Sequence, residues 1–118
     1  MPRAGVGLPR RGDIWHLDLG TPIGHEAGAR RFALVVSVDA QNRFGLAAIC
    51  PITTTALGYP SHVEIDKGTA GMSAICYVQV EQLRTVSTDR FETFKGVLDP
   101  VRMNDVEQIM RWVLGLGR

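Results

Sequence analysis

FKGVLDPVRMNDVEQIMRWVLG, residues 94–115, changes period in mid-stretch. Its first five residues form a short, largely apolar run of strand length. Beyond Asp99-Pro100, Val106, Ile109, Met110, Val113 and Leu114 fall at i, i+3, i+4, i+7 and i+8, the stripe of an amphipathic helix. Asp99 is a suitable N-cap, Pro100 suits the first turn, and Gly115 suits the end. The stretch predicts a last strand that hands over to a terminal helix.

The segments upstream are short and strand-like. IWHLDL (14–19) alternates apolar and polar side chains, as a half-buried strand does. FALVVSV (32–38) is a continuous Val-rich run, the pattern of a central strand covered on both faces. LAAICPI (46–52) carries Pro51, which points to a strand end or bulge. HVEI (62–65) and MSAICYVQV (72–80) follow, then QLRTVS (82–87) as a short strand or bend. AQNRFG (40–45) is expected to turn, and TTTALGYP (53–60) and DKGTAG (66–71) to loop. Five or more short strands before one helix predict a mainly β domain, a curved antiparallel sheet or open barrel.

At 118 residues the chain is one domain. Residues 1–10 are expected to be a flexible leader, because MPRAGVGLP is rich in Gly and Pro and has no period; residues 11–118 form the domain. Hydrophobic residues make up 45% and charged residues 21%, which argues against wholesale disorder. Net charge is +1, so a polyanion would have to be bound by a local cluster of cations. No secretory leader or bilayer-spanning segment is expected. Cys50 and Cys76 belong to no Cys-x-x-Cys pair, which argues against zinc and for two buried, reduced thiols in the cytoplasm.

Three polar clusters sit where loops or strand ends are expected: His25, Glu26, Arg30 and Arg31 in GHEAGARRF (24–32); Thr53, Thr54 and Thr55 with His62 nearby; and Glu81, Gln82, Arg84 and Thr85. An Arg fork matches phosphate oxygens and Thr hydroxyls donate to them, while neither is a good metal ligand. No carboxylate–imidazole set has two-metal spacing, and there is no Gly-x-Ser-x-Gly elbow or Walker-type loop. RNA carries its own nucleophile, the 2′-OH, so metal-free phosphodiester chemistry needs only orientation and charge stabilisation. Each residue also has a plainer use. Arg30 and Arg31 could solvate a loop and pair with Glu26, and His25 could be exposed and idle. His62 could serve a cross-strand role, the Thr run could be turn chemistry, and Glu81 with Arg84 could be a surface ion pair. Trp15 could be core, and Trp112 a core or dimer contact of the helix.

Taken together, RRGDIWHLDLGTPIGHEAGARRFALVVSVDAQNRF (10–44) resembles the opening of the MazF/PemK family of toxin endoribonucleases. That pattern runs Arg-Gly-Asp-Ile/Val-Trp/Tyr, Asp-Leu, a Gly-Ser-Glu-Gln loop, Arg-Pro and Val-Leu-Val. PITTTALGYPSHVEI (51–65) and VEQLRTVSTDRF (80–91) are similar to its later segments, and the likeness covers residues 11–115. The resemblance implies an SH3-like antiparallel β-barrel with a C-terminal helix, acting in the cytoplasm as a homodimeric toxin without cofactor. It implies sequence-specific, metal-independent cleavage of single-stranded mRNA, and a cognate antitoxin whose disordered segment folds on binding.

The family's essential Arg and Thr fall on Arg31 and Thr53. Arg31 would stabilise the scissile phosphate and could help protonate the leaving oxygen, and Thr53 would hold a non-bridging oxygen. Glu26, or else His25, would take the 2′-OH proton. His25, Arg30, Phe32, Thr54, Thr55, Gln82 and Arg84 are the expected substrate contacts, on a loop flexible enough to close over RNA. Phe32 replaces the usual Pro, His25 the usual Ser and Ala27 the usual Gln. Phe32 frees the backbone at Arg31 and could stack on a base. A gyrase-poisoning toxin of the same fold, or a non-catalytic RNA-binding module, is the alternative.

Overall fold

The computed structural model describes residues 7–117, so most of the expected leader, residues 1–6, lies outside them. In chain order the elements are β1 (Asp13–Asp18), β2 (Arg30–Val35), α1 (Asp39–Asn42), β3 (Leu46–Thr53), β4 (His62–Ile65), β5 (Cys76–Gln79), β6 (Arg84–Ser87), β7 (Phe91–Val97) and α2 (Pro100–Leu114). A 3-10 turn, Val80–Gln82, joins β5 to β6. The mainly β class with a terminal helix is the one the sequence predicts.

The strands pair in the order β4-β5-β3-β2-β1-β7, and β6 also lies on β3. All of these pairings are antiparallel. β3 is the hub. One edge pairs β2 through residues 49–51, while the other pairs β6 through residues 46–49 and β5 through residues 52–53. Pro51 therefore lies inside the strand, at the step between two partners, where neither β5 nor β6 is paired with it. Among the described residues no pairing joins β7 back to β4 or β6, so the sheet curls but stays open.

Curling comes from two irregularities in the β1–β7 ladder. Ile14 pairs Gly96 and Trp15 pairs Phe94, which leaves Lys95 as an extra residue. His16 pairs Thr93 and Leu17 pairs Phe91, which leaves Glu92 as another. β2 runs through the middle with Ala33, Leu34 and Val35 all buried, as its unbroken apolar run predicts. Its alternate side chains feed two cores. Leu34 joins Ile14, Cys50, Ile52 and Val78 under Met103 and Val106 of α2. Ala33 and Val35 join Trp15, Leu17, Ile49 and Phe91. Trp15 is thus core. Its indole meets Phe91 and Phe94 edge-on at 5.5 and 5.7 Å and donates to a carboxylate oxygen of buried Asp13 at 3.1 Å.

The helix starts and stops where predicted. The Asp99 carboxylate accepts from the Arg102 amide at 2.9 Å, and Gly115 ends the helix at φ 66°. Its buried stripe lies further toward the N-terminus than predicted. Met103 and Val106 are buried and Ile109, Met110 and Val113 half-buried, but Leu114 and Trp112 are 50% and 60% exposed, so Trp112 is no core contact. Two further corrections concern short segments. The 40–45 turn begins inside a single helical turn, α1. Residues 72–75 do not extend β5, because Gly71 (φ 77°) presses on β7, where an added Cβ would meet the Lys95 carbonyl oxygen at 2.3 Å.

Candidate functional site

Arg30 and Arg31, expected on the loop, are the first two residues of β2. Pairing decides this: Asp18 faces Arg30 and Leu17 faces Arg31 across the β1–β2 ladder. Neighbouring strand residues point to opposite faces, so the two cations separate. Arg30 stays on the outer face, 3.5 Å from Glu92, whose other carboxylate oxygen lies 3.4 Å from His16. Arg31 turns the other way. Its Nε donates to the Gly28 carbonyl at 3.0 Å and its Nη1 to Gln79 Oε1 at 3.4 Å. Neither Arg pairs with Glu26, as the plainer use would have had it.

Thr53 closes β3. Its hydroxyl oxygen accepts from the Thr55 amide at 3.1 Å, a local turn that leaves Thr54 and Thr55 exposed. The ladder that pairs Ala33 with Pro51 stops there. Carried two residues further, the same register sets Arg31 opposite Thr53. Beyond Ala33 and Pro51 β2 remains with β1 while β3 turns to pair β5, with Thr53 facing Tyr77. A cation and a hydroxyl thus each lie two residues beyond the last pair of the β2–β3 ladder. Gln79, on β5, bridges from the far side to steady the guanidinium.

The 20–29 loop is tied rather than loose. At its neck the Leu19 amide donates to the Ala29 carbonyl at 2.9 Å and the Ala29 amide to Gly20 at 2.6 Å. Gln82 holds the middle with both ends of one amide, accepting from Ala27 N–H at 3.0 Å and donating to the His25 carbonyl at 2.8 Å. Arg84 reaches the Leu19 carbonyl at 3.5 Å. Gln82 and Arg84, expected as substrate contacts, therefore support the loop. Gly28 must be glycine, because a Cβ there would stand 2.5 Å from Pro22. Glu26 and His25 are exposed at the tip, and the Glu26 carboxylate accepts from the Ile23 amide at 3.0 Å.

On the other face, Phe32, Ile52, Thr53, Thr54, Met72, Ser73, Ala74, Cys76 and Lys95 enclose a cavity of about 120 Å³. Phe32 is not free to stack on a base from both sides, because the His16 ring meets it edge-on at 5.1 Å and Lys95 Nζ sits 5.5 Å from its centroid.

Glu81 is no partner of Arg84. Its two carboxylate oxygens take Ser61 Oγ at 2.8 Å and His62 Nε2 at 2.9 Å. Burial pushes the Glu81 carboxyl up, but hydrogen bonds from His62, Ser61 and its own backbone amide, with the His62 charge, outweigh that and hold it below the ordinary value. Both thiols are free and buried, and burial raises Cys50 to about 12, with help from the Glu81 charge, and Cys76 to about 11. Among the described residues no three His, Cys, Asp or Glu side chains gather as a metal ion would require.

The sequence reading missed Gln79, Gly28 and Lys95. A lone amide in the apolar run ICYVQV was the one available signal for Gln79. Gly28 and Lys95 gave none, since the importance of each lies in what approaches it from elsewhere in the chain.

Comparison with known proteins agrees with this architecture. The profile of the family described as PemK-like, MazF-like toxin of type II toxin-antitoxin system matches residues 10–114. Endoribonuclease MazF9 of Mycobacterium tuberculosis is 32% identical over 116 residues, covering 92% of this chain and 98% of that protein. The crystal structure of MazF from Deinococcus radiodurans superposes with a TM-score of 0.82 at 30% identity, covering 92% of this chain and 98% of that one. An endoribonuclease in complex with its cognate antitoxin, from Mycobacterial species, superposes with a TM-score of 0.78 at 25% identity, covering 93% and 98%.

Proposed function

This chain belongs to the PemK-like, MazF-like toxins of type II toxin-antitoxin systems, and from that premise we propose that it is an endoribonuclease that cuts single-stranded RNA between Arg31 and Thr53. The observation that supports the proposal is that the β2–β3 ladder ends at Ala33 and Pro51, while its register, extended by two residues, would bring Arg31 and Thr53 face to face. A guanidinium has five N–H donors. Two are spent on Gly28 and Gln79, which fixes the fork while the remaining donors can grip a phosphate.

In the proposed reaction the substrate's 2′-OH attacks the adjacent phosphorus. The O2′–P bond forms, the P–O5′ bond breaks, the 2′ proton goes to a base and the 5′ oxygen gains one. Arg31 stabilises the crowded phosphorane and Thr53 donates to a non-bridging oxygen, each contributing on the order of 10²–10³ in rate. Glu26 at the loop tip serves as the base, with His25 beside it as the other proton acceptor the loop offers. No step calls for a metal ion.

The toxin would act in the cytoplasm, where mRNA is found; among the described residues no helix is long and apolar enough to cross a membrane. An antitoxin segment that folds on binding would silence it, a reading supported by the mycobacterial complex. A homodimer is supported by Trp112 and Leu114 of α2 and Leu116 just past it, which together leave an exposed apolar patch at the helix end.

The test is cleavage of a long, weakly structured RNA in EDTA by wild type, Arg31→Ala and Thr53→Ala. Discrete bands from wild type alone, with all three proteins folded, are expected. Bands that vanish with EDTA would overturn the metal-free route, and bands that survive Arg31→Ala would overturn the site.

A further inference from the structure

We propose that Lys95 is a second phosphate-binding cation, gripping the nucleotide next to the scissile one, and that Phe32 is the residue that positions it. The inference rests on the endoribonuclease assignment above and adds to it the cavity on the opposite face of β2, which meets the proposed reaction centre at Thr53.

Four features converge on Lys95. It is an extra residue in the β1–β7 ladder, the kind of bulge that re-aims a side chain. Its backbone is fixed by a close glycine contact, since a Cβ on Gly71 would meet the Lys95 carbonyl oxygen at 2.3 Å and one on Gly96 would meet the Ala70 carbonyl oxygen at 2.4 Å. Its ammonium lies over the Phe32 ring, 5.5 Å from the centroid, which restrains the charge without neutralising it. Finally, it shares the 120 Å³ cavity with the hydroxyl-bearing residues Thr53, Thr54 and Ser73, all suited to phosphate oxygens.

Nearby cations are employed differently. Arg30 is paired with Glu92, the other extra residue of the same ladder. Among the described residues Lys95 has no carboxylate partner. A cation held in place by an aromatic ring and left without a counter-ion, on a cavity that includes Thr53, is placed for a polyanion that runs past the reaction centre. Phe32 stands where the family pattern has Pro, and only an aromatic ring can hold an ammonium this way.

The experiment uses an RNA oligonucleotide spanning a mapped cleavage site, and the same oligonucleotide with a 2′-deoxy nucleotide on the 5′ side of the cut to block reaction. Lys95→Ala, Lys95→Arg, Phe32→Leu and Phe32→Leu/Lys95→Ala are compared with wild type, each checked for folding by thermal unfolding. For Lys95→Ala, KM and the Kd of the blocked RNA rise roughly tenfold, as expected on losing a charge-assisted contact, while kcat is kept. The slope of log K against log salt falls by about 0.7, the value for one phosphate on a single strand. Lys95→Arg restores most of the affinity. Phe32→Leu gives part of the Lys95→Ala loss, and the double variant is no worse than Lys95→Ala. Unchanged KM and salt slope in Lys95→Ala, with wild type active, would overturn the Lys95 proposal alone. A double variant as weak as the product of the single effects would overturn the positioning role of Phe32. Wild type that neither cuts nor binds the RNA would bring down the endoribonuclease assignment, and this proposal with it.

Discussion

Gly28 joins two constraints in one residue, since its carbonyl holds Arg31 and its missing Cβ admits Pro22. Gly28→Ala is expected to shift that carbonyl and lower kcat at least tenfold, with a stability cost of about 1–3 kcal/mol from overpacking; single-turnover kinetics and thermal unfolding read the two separately. Gln82→Ala acts on the same loop from the other side. It removes two hydrogen bonds, about 1 kcal/mol each, and is expected to raise KM and to lower kcat together, because the segment it holds carries Glu26, the proposed base, between His25 and Ala27. Glu81 sets an acid limit. Its folded pKa lies below its unfolded one, so the unfolded chain takes up the proton first as pH falls. The contribution of the carboxylate is complete above the unfolded value and is lost as pH drops through the folded one. Wild type should therefore lose Tm more steeply than Glu81→Gln on acidification through the carboxylate range.

Among the elements, α2 depends on its first turn. Asp99→Ala removes the side-chain acceptor for the Arg102 amide and is expected to cost about 1 kcal/mol, read from denaturant unfolding at unchanged m-value. This helix was legible in the sequence because cap, proline, stripe and terminal glycine agreed with one another. The strands were legible for the same reason, most clearly HVEI, whose predicted bounds match β4. Arg30 and Arg31 were read as loop residues because glycine and alanine precede them and two cations carry no strand preference. Their conformation is set by β1, through pairing that local pattern does not encode. The start of β5 was misplaced for a similar reason, the approach of Gly71 to β7. The proposed pair, Arg31 and Thr53, came only from resemblance to a known pattern. What residue types alone suggested was phosphate chemistry, without the β2–β3 register whose end at Ala33 and Pro51 brings the two segments together.

For the whole molecule, both thiols are inside the core and raised in pKa by burial. At pH 8 a thiol reagent should label neither Cys50 nor Cys76 in the native protein and both after denaturation, as mass spectrometry would show. Rapid native labelling would mean that the sheet opens around β3 and β5. The open sheet also divides labour. Arg31 and Thr53 sit on strands that serve both cores, whereas residues 21–26 are exposed and are moored mainly through one side chain, Gln82, with Ala27 tucked into the core beside them. A lineage of such chains can therefore rewrite the exposed side chains around Glu26, as His25 already illustrates, without disturbing the strands that hold Arg31 and Thr53. Descendants of one catalytic frame could diverge in the messages they destroy while the frame itself stays fixed.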